Sequence, residues 1–458
     1  MSLDRRRLFA ALAGAGAAGA SGTASEAQAT PARALGPGAE IDAASLGIRP
    51  NAAADQTRVL QRAIEQTAAL RSVLRLPPGT FRAGSLQLPA FAAVAGVPGA
   101  THIVMSGGPS LMSGAGSDHI SLSGLVLDGD NIPLPERRGL LHFAQGRALR
   151  IADCEIVNAG RNGIAFEAVE GEVTGSTIAD AADAAIFSLD ARGLRIAGNT
   201  VRGAGNGGIL VWRNARGDDG TLVIDNRIEA IMSRAGGSGE YGNAINVFRA
   251  DNVIVRGNRI SNAAFSAVRG NTASNLQIVG NTCTGLGEVA LYAEFGFEGA
   301  LIADNIVDGA AVGVSVTNFN QGGRLAVVQG NLIRNLVGRR PPGTDPNDAA
   351  GVGIGIEADT VATGNVVENA AHVGIAAGWG AYLRDVVITS NVIRRADFGI
   401  TVSVAPGAGA AVIADNMISD VRGAAIVGME WKKPVTGDLA KNGDARYAQL
   451  SIGGNRVR

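Results

Sequence analysis

Apolar and polar residues alternate in short runs along most of the chain, and these runs recur around a fixed phrase. The phrase is an apolar pair, a Gly or Asp, an Asn, one further residue and a Val or Ile, as in residues 194–201 and 253–260. Clean copies are separated by roughly 22 to 27 residues, a period that predicts a solenoid of stacked units. Cys154 and Ser176 hold the same slot in two earlier copies. The recurring asparagines are Asn199, Asn226, Asn258, Asn281, Asn305, Asn331, Asn365, Asn391, Asn416 and Asn455.

Each repeat predicts three short β-strands separated by tight turns. The alternation of apolar and polar positions has the period of a strand, and no segment after residue 150 sustains a helical period. Gly, Asn, Asp and Ala occupy the positions between the strands, as expected for turns. We therefore predict an all-β protein, a parallel β-helix of about 11 to 12 coils. The recurring Asn is interpreted as a structural corner residue that tolerates the left-handed conformation and bonds its neighbours in a stack.

Residues 40–100 differ from the repeats and predict a cap with the first coils, whereas residues 101–458 carry the repeats. Thr57–Ala69 has apolar residues at helical spacing, with Asp55 or Thr57 as the N-cap. A strand, a turn and a second strand follow at residues 73–81. A helix at this end can cover strand edges and the apolar core, which an open solenoid exposes.

The first 29 residues have the pattern of an export signal, and residues 30–39 are interpreted as a linker. Arg6 and Arg7 begin a twin-arginine motif, a weakly hydrophobic Ala/Gly stretch follows, and residues 27–29 read Ala-Gln-Ala. An ordinary secretory signal is the alternative. We expect a periplasmic or secreted protein that is exported by the twin-arginine machinery. No later run of 18 apolar residues occurs, so no membrane span is predicted.

Composition excludes some partners and cofactors. A formal net charge of −1 with 18% charged residues gives no basic surface for nucleic acid. Cys154 and Cys283 lie several coils apart and are interpreted as core residues, and the four histidines lack the spacing of metal ligands. No cofactor is predicted, and calcium remains open without a clear site. Aromatic residues make up only 4% of the chain, so exposed ones are informative.

The predicted helix and the strand after it resemble the pectate-lyase-like superfamily of right-handed β-helices. Its motif, an Asp-x-Thr-x-x-Leu-Gln-x-Ala-Ile helix before a Leu-Pro-Pro-Gly-Thr-Phe strand, matches residues 55–64 and 76–81. With the export signal, the chain also resembles an uncharacterised family of exported bacterial β-helical repeat proteins. The resemblance implies a β-helix over residues 40–458. The superfamily includes polysaccharide lyases, glycoside hydrolases, epimerases, esterases and adhesins, so it implies a carbohydrate-related function without naming the reaction.

Residues that point outward after a second recurring signal form the candidate site. About ten residues after each Asn, a Gly or Ala precedes an inward aliphatic residue, and the side chains one and three positions later point outward. Two insertions flank this face, residues 231–242 with Tyr241 and residues 336–351, and raised loops often carry sites. In successive coils the outward residues are Leu210 and Trp212, Asn246 and Phe248, Arg269 and Asn271, Tyr292 and Glu294, Ser315 and Thr317, and Glu357 and Asp359.

The side chains on this face suit an acidic polysaccharide. Trp212, Phe248 and Tyr292 offer flat apolar faces to sugar rings. Arg249 and Arg269 can hold a uronate carboxylate through two parallel hydrogen bonds. The predicted substrate-binding residues are Trp212, Phe248, Arg249, Asn271 and Tyr241.

Two catalytic schemes remain open on this face. Glu294 and Glu357 are predicted two coils apart, about 9–10 Å, which allows the acid and base of an inverting hydrolase. In a lyase, Arg269 or Tyr292 lies near the C5 proton of the sugar, and Glu294 or Asp359 binds a cation. An arginine base needs unusual help because of its high pKa.

The sequence therefore supports three functions. The first is a polysaccharide lyase or glycoside hydrolase acting on an acidic glycan. The second is a non-catalytic protein that binds glycans or serves as a scaffold in the cell envelope. The third is a structural rod whose face binds another protein. A further insertion at residues 431–447 is interpreted as a cap or a partner-binding loop, and the oligomeric state remains open.

Overall fold

The computed structural model describes residues 40–345, 347–443 and 445–458. The predicted export signal with Arg6 and Arg7, and the predicted linker, lie outside these residues. Within them the chain winds through three parallel sheets, passing from the third sheet to the first and then to the second in each coil. The predicted parallel β-helix with a helix near the N-terminus is confirmed.

The three sheets contain nearly all of the regular structure. The first sheet consists of Glu40–Asp42, Val73–Arg75, Ala93–Ala95, Ser121–Ser123, Leu149–Ala152, Gly171–Thr174, Arg195–Ala197, Leu222–Ile224, Ile254–Arg256, Leu276–Val279, Glu298–Ala303, Arg324–Gln329, Ala358–Thr363, Arg384–Thr389, Ala411–Ala414 and Leu450–Gly453. The second sheet consists of Gly79–Ala83, Thr101–Met105, Val126–Asp128, Glu155–Val157, Thr177–Ala179, Thr200–Arg202, Arg227–Ile231, Arg259–Ala263, Thr282–Thr284, Ile306–Ala310, Leu332–Leu336, Val366–Ala370, Val392–Arg394, Met417–Ser419 and Arg456–Val457. The third sheet consists of Leu86–Gln87, Met112–Ala115, Gly139–Ala144, Asn162–Glu167, Ala184–Leu189, Gly207–Asp218, Asn243–Asp251, Val268–Asn271, Val289–Glu294, Val312–Val316, Val352–Ile356, Val373–Ala377, Phe398–Ser403, Ile426–Glu430 and Lys433–Asp438.

The solenoid has about 14 turns, more than the predicted 11 to 12. The difference arises at the N-terminal end, where the coils before Cys154 lack the recurring Asn. A count of the Asn-containing phrases therefore leaves these coils out. At the other end, Lys433–Asp438 turns back antiparallel on Ile426–Glu430. The short helix Leu439–Asn442 follows this hairpin.

The N-terminal helix spans Thr57–Ala69, as predicted. Its buried face includes Leu60 and Ile64. The N-cap residue is Gln56, whose side chain makes no cap hydrogen bond, so the prediction of Asp55 or Thr57 as the N-cap was wrong. Asp55 still accepts a hydrogen bond from the Thr57 backbone N–H at 2.9 Å and so satisfies one free donor at the helix start. Two short 3₁₀ helices, Ala43–Leu46 and Phe319–Gln321, complete the helical structure of the described residues.

The core is built from rows of stacked aliphatic side chains. In the second sheet, Ile260, Cys283 and Val307 are consecutive neighbours in one row and are almost fully buried. Cys283 therefore fills an aliphatic position, and burial raises the pKa of its thiol to about 12. Cys154 is also buried, and burial raises its thiol pKa to about 11. Both cysteines are free, and their interpretation as core residues is confirmed.

The recurring Asn residues form a continuous hydrogen-bonded ladder at the corner between the first and second sheets, here called the ladder corner. Asn258 shows the pattern: its side-chain oxygen accepts from the backbone N–H and the amide of Asn226, at 2.9 and 3.0 Å. Its own amide donates to the Val223 carbonyl and to the Asn281 side-chain oxygen, at 2.9 and 3.0 Å. The structural interpretation is confirmed, but the conformation assigned to it was wrong. The left-handed residue is the one before the Asn, such as Gly257 at φ 68°.

The longest loops that connect the second sheet to the third project from the corner between these two sheets. They span residues 129–138, 232–242 and 337–351. The last two were predicted, with bounds one residue longer, and the first was not. Because all three leave the same corner, they gather around the outer face of the third sheet.

Candidate functional site

The outer face of the third sheet carries the predicted site residues in two aligned rows. Arg269 and Tyr292 are direct neighbours in one row, and Asn271 and Glu294 are neighbours in the other. The second row begins with Trp212 beside Phe248. The parallel register therefore stacks these predicted residues in adjacent coils.

Glu357 and Asp359 do not occupy the positions predicted for them. Gly355, and not Glu357, pairs with Ser315, so Glu357 follows the end of the strand Val352–Ile356. Asp359 lies two residues further on, inside the first-sheet strand Ala358–Thr363. The sequence contains two successive Gly-Ile pairs in this coil, and the first pair, not the second, occupies the corner.

Trp212 stands at the centre of an aromatic cluster. Its ring contacts Phe187 edge-on with centroids 5.5 Å apart, and Phe248 at 5.9 Å. Its indole N–H donates to the Asn246 side-chain oxygen at 3.1 Å. The Arg249 guanidinium lies 4.7 Å from the centre of the Phe248 ring, a cation–π arrangement. With its N–H satisfied, Trp212 has an apolar ring face left to offer to a ligand.

A cleft of about 150 Å³ opens beside Trp212. Phe187, Leu210 and Trp212 give it an apolar floor, and the insertions at 129–138 and 232–242 contribute its charged rim. Apolar surface with a few placed polar groups is typical of ligand sites. The cleft is lined by Glu136, Arg137, Arg161, Asn162, Asp183, Phe187, Asn206, Leu210, Trp212, Glu240 and Tyr241.

The charged rim is partly organised by contacts within the protein. Asp183 forms an ion pair with Arg161 at 3.4 Å and accepts a hydrogen bond from the Asn206 amide at 3.0 Å. The Asn206 side-chain oxygen accepts from the backbone N–H of Ala235, at 2.8 Å, and so ties an insertion to the solenoid. The Glu240 charge and burial raise the pKa of Tyr241, so its phenol stays protonated at neutral pH.

Arg269 and Glu294 lie in a buried ion cluster and not in the cleft. Arg269 makes two parallel hydrogen bonds to the Glu294 carboxylate, at 2.6 and 2.9 Å, and a third to Glu288 at 3.3 Å. Arg340 from the insertion at 337–351 binds the other oxygen of Glu288 at 2.7 Å. Glu294 is only 1% exposed, Glu288 2% and Arg269 7%.

The two larger insertions cover this cluster together. The Ser238 backbone N–H donates to the Gly343 carbonyl at 3.1 Å, which joins one insertion to the other. The Asn246 amide on the sheet donates to the Gly239 carbonyl at 3.1 Å. Burial raises the pKa of Glu288 and of Tyr292. Arg269 and Glu294, two of the residues predicted to bind a uronate or handle a proton, are therefore bound to each other beneath this cover.

The remaining predicted residues are also engaged. Asn271 donates to Glu294 at 3.1 Å. Glu357 accepts a hydrogen bond from the Phe319 backbone N–H at 2.7 Å, and burial raises its pKa. Asp359 is held by Arg384 at 2.6 Å and Arg324 at 3.0 Å, and these hydrogen bonds lower the pKa of its carboxyl. The structure thus brings Trp212, Phe248, Arg249 and Tyr241 to the open side and places the predicted acid–base residues elsewhere.

Sequence reasoning missed the polar residues that complete the cleft. Glu136 and Arg137 lie on the insertion at 129–138, and Arg161 and Asp183 lie at the same corner of the next coils. One signal was available, because the segment around Pro133 and Pro135 interrupts the strand pattern. No local signal marks the corner residues, since their neighbourhood depends on stacking.

The described part of the chain shows no metal cluster and no membrane helix. Within residues 40–345, 347–443 and 445–458, no three His, Cys, Asp or Glu side chains come together as metal ligands. In the same residues, no helix is long and apolar enough to cross a bilayer.

Comparison with known proteins identifies similar folds. No family model and no curated protein matches the sequence. The A-module of the Azotobacter vinelandii mannuronan C-5 epimerase AlgE6 is similar in structure, with a TM-score of 0.51, 14% identity, and 91% of this chain and 99% of that one covered. The N-terminal fragment of the bacteriophage phi29 gene product 12 has a TM-score of 0.52, 15% identity, and coverage of 91% and 72%. At such identities the likeness establishes the fold alone.

Proposed function

We propose that this protein binds an acidic polysaccharide in the cleft beside Trp212. The observation that carries the proposal is the partly exposed Trp212 ring, which packs between the buried Phe187 and the partly exposed Phe248 and lines a cleft with a charged rim. Sugar rings present apolar C–H faces that pack on aromatic rings, while their hydroxyls need polar partners at the edges. The similarity in fold to a mannuronan C-5 epimerase module agrees with a carbohydrate ligand.

The rim supplies both kinds of polar partner that an acidic sugar requires. Arg137 and Arg161 line the cleft, and Arg249 stands on the adjacent Phe248 ring. A guanidinium binds a carboxylate more tightly and more directionally than a lysine does. Carboxylates such as Glu136 and Glu240 can accept hydrogen bonds from sugar hydroxyls.

Binding of defined polymers tests this function. Calorimetric titration with polygalacturonate, alginate and a neutral β-glucan, with and without Ca²⁺, should show binding to an acidic polymer. The Trp212→Ala variant should bind about five- to thirtyfold more weakly, because a stacked ring contributes on the order of 1–2 kcal/mol. Leu332→Ala, an exposed residue of the second sheet, serves as the control. Equal affinity of the wild type and Trp212→Ala for every polymer would overturn the proposal.

Cleavage of the bound glycan is a second candidate, favoured by the carboxylates that face the cleft. Glu136 and Glu240 share it with Trp212, whereas Glu294 is buried against Arg269. A hydrolase needs one acid and one base on opposite sides of the scissile bond. New reducing ends that disappear in Glu240→Gln or Glu136→Gln, with binding retained, would establish catalysis here. Absorbance of unsaturated uronates would instead indicate a lyase.

We also propose that the protein acts in the periplasm or outside the cell. The support is the twin-arginine pattern at Arg6 and Arg7. Replacement of both residues by lysine should retain the precursor in the cytoplasm on cell fractionation, whereas Arg5→Lys should not. Unchanged export of the double variant would contradict the twin-arginine route.

A further inference from the structure

A second aromatic cluster lies exposed near the C-terminal end of the solenoid. Trp379 is 42% exposed and Trp431 is 50% exposed, although the chain contains only three tryptophans. Their ring centroids lie 5.7 Å apart at 79°, and Tyr382 lies 6.5 Å from Trp431. Exposed aromatic surface that is contiguous points to a ligand, whereas a single exposed apolar residue does not.

Two tight turns hold these rings in place. Trp379 and Tyr382 exchange backbone hydrogen bonds of 3.2 and 3.0 Å across a turn. Within that turn, a Cβ on Gly380 would lie 2.4 Å from the Trp431 ring, so the ring packs onto a position that only glycine can fill. Trp431 itself forms the tip of the C-terminal hairpin with φ 54°, an uncommon conformation for a bulky residue. The backbone therefore presents both indoles outward.

The cluster belongs to a longer file of aromatic residues along one edge. Partly exposed aromatic side chains occur where third-sheet strands end, or at the matching register of the two longest strands, and this file is here called the aromatic edge. Eight strand spacings of about 4.8 Å separate the strand of Trp212 from that of Trp431, so the edge extends for about 38 Å. Its members are Trp212, Phe248, Phe295, Phe319, Trp379, Tyr382 and Trp431.

Cationic side chains accompany the aromatic edge. The Arg249 guanidinium lies 4.7 Å from the centre of the Phe248 ring. The Arg384 guanidinium lies 4.4 Å from the centre of the Phe319 ring but is already paired with the Asp359 carboxylate. Lys432 and Lys433 are exposed next to Trp431, with the carboxylate of Glu430 on the other side of the hairpin tip. Aromatic faces interleaved with cations match a polymer that alternates apolar ring faces with carboxylates.

We propose that Trp379, Tyr382 and Trp431 form a second subsite for the acidic polysaccharide, which runs along the aromatic edge from the cleft beside Trp212. This inference rests on the proposed function and makes a long polymer, not a short oligosaccharide, the preferred ligand. A chain that engages both subsites binds the second one intramolecularly, which raises its overall affinity above that of either subsite alone.

Titration with a short and a long form of one probe tests the second subsite. Trigalacturonate and polygalacturonate are titrated into the full-length mature protein, its Trp212→Ala variant and a Trp379→Ala/Trp431→Ala double variant. The double variant should bind polygalacturonate at least about tenfold more weakly and bind trigalacturonate as the wild type does. If the double variant unfolds at a lower temperature, the affinities of the single variant Trp431→Ala for the two probes are measured instead, because this residue is half exposed. Leu332→Ala is the control for an exposed apolar residue on another sheet.

Each outcome has a distinct meaning. Wild-type affinity of both the double variant and Trp431→Ala for polygalacturonate, with weakened binding by Trp212→Ala, overturns the second subsite and leaves the proposed function standing. Equal loss of both probes in the double variant also contradicts it, because the distal rings should not affect a ligand confined to the cleft. Absence of binding of any acidic polymer by the wild type contradicts the proposed function itself.

Discussion

The ladder corner and the aromatic edge are two corners of the same coils, and they differ in how far their residues repeat and how far they are buried. At the ladder corner one residue type recurs, and each buried Asn, such as Asn258 or Asn305, is bonded to the coils on both sides. At the aromatic edge the residues differ from coil to coil, and large rings such as Trp379 and Trp431 remain exposed. Repetition marks positions that serve stacking, because every coil has the same neighbours to satisfy. A position that departs from repetition and also stays exposed, such as Trp379 or Trp431, is free for a ligand, whereas the non-repeated Glu294 is buried against Arg269.

We expect the largest loss of stability from replacing Glu294, a residue that is not repeated from coil to coil but supports the fold. Removing Glu294 leaves Arg269 buried with only part of its charge compensated, so Glu294→Ala should lower the free energy of unfolding by about 3–5 kcal/mol. Urea denaturation measures this change. Glu298→Ala is the matched control, because that carboxylate is 54% exposed and should contribute less than about 1 kcal/mol. Equal stability of the two variants would show that the buried cluster is not structural and would restore Glu294 as a functional candidate.

Loss of one ladder residue should have the next largest effect. Asn258→Ala removes the acceptor used by Asn226 and leaves buried backbone groups unpaired, so it should cost about 2–3 kcal/mol of unfolding free energy. Asn455 lies at the end of the ladder and is partly exposed, so Asn455→Ala should cost less. Denaturation with urea compares the two. A greater loss from Asn455→Ala would contradict the account of the ladder as a cooperative stack.

A smaller effect is expected at Asp359, in the first sheet beyond the aromatic edge. Its ion pairs with Arg384 and Arg324 involve side chains that are 40% and 39% exposed, so Asp359→Asn should cost only about 1 kcal/mol at neutral pH. Hydrogen bonds from these arginines lower the carboxyl pKa from 3.8 in the folded state, so the stabilisation is complete above that value. It is lost as pH falls through the folded-state pKa. Thermal unfolding at about pH 7 and about pH 2 should show the difference between wild type and variant shrinking with acid; a difference that grows would be contradictory.

The fold was predictable because its signals are local and repeated. The Asn phrase, the alternation of apolar residues and the Thr57–Ala69 helix depend on near neighbours in sequence. The number of coils was underestimated only where the phrase is missing, before Cys154. Even at the ladder corner, the shift of the left-handed conformation from the Asn to the residue before it, such as Gly257, could not be read from composition alone.

The site was only partly predictable because it depends on how insertions fold back. Trp212 and Phe248 were identified from their outward register and the rarity of aromatic residues, and Tyr241 from its place in a long insertion. Glu294 is buried beneath two insertions that meet through Ser238 and Gly343. These two residues lie far apart in sequence, so the sequence pattern does not show that they meet. The displacement of Glu357 followed from a choice between two adjacent Gly-Ile pairs that only the sheet register resolves.

The central claim is that the ladder corner maintains the fold while the aromatic edge binds the polysaccharide, and one paired measurement tests it most directly. Polygalacturonate is titrated into Asn258→Ala and Trp212→Ala at a temperature where both remain folded. We expect wild-type affinity for Asn258→Ala and about five- to thirtyfold weaker binding for Trp212→Ala. Retained affinity in Trp212→Ala, or an equal loss in both variants, would contradict the division of roles between the two corners.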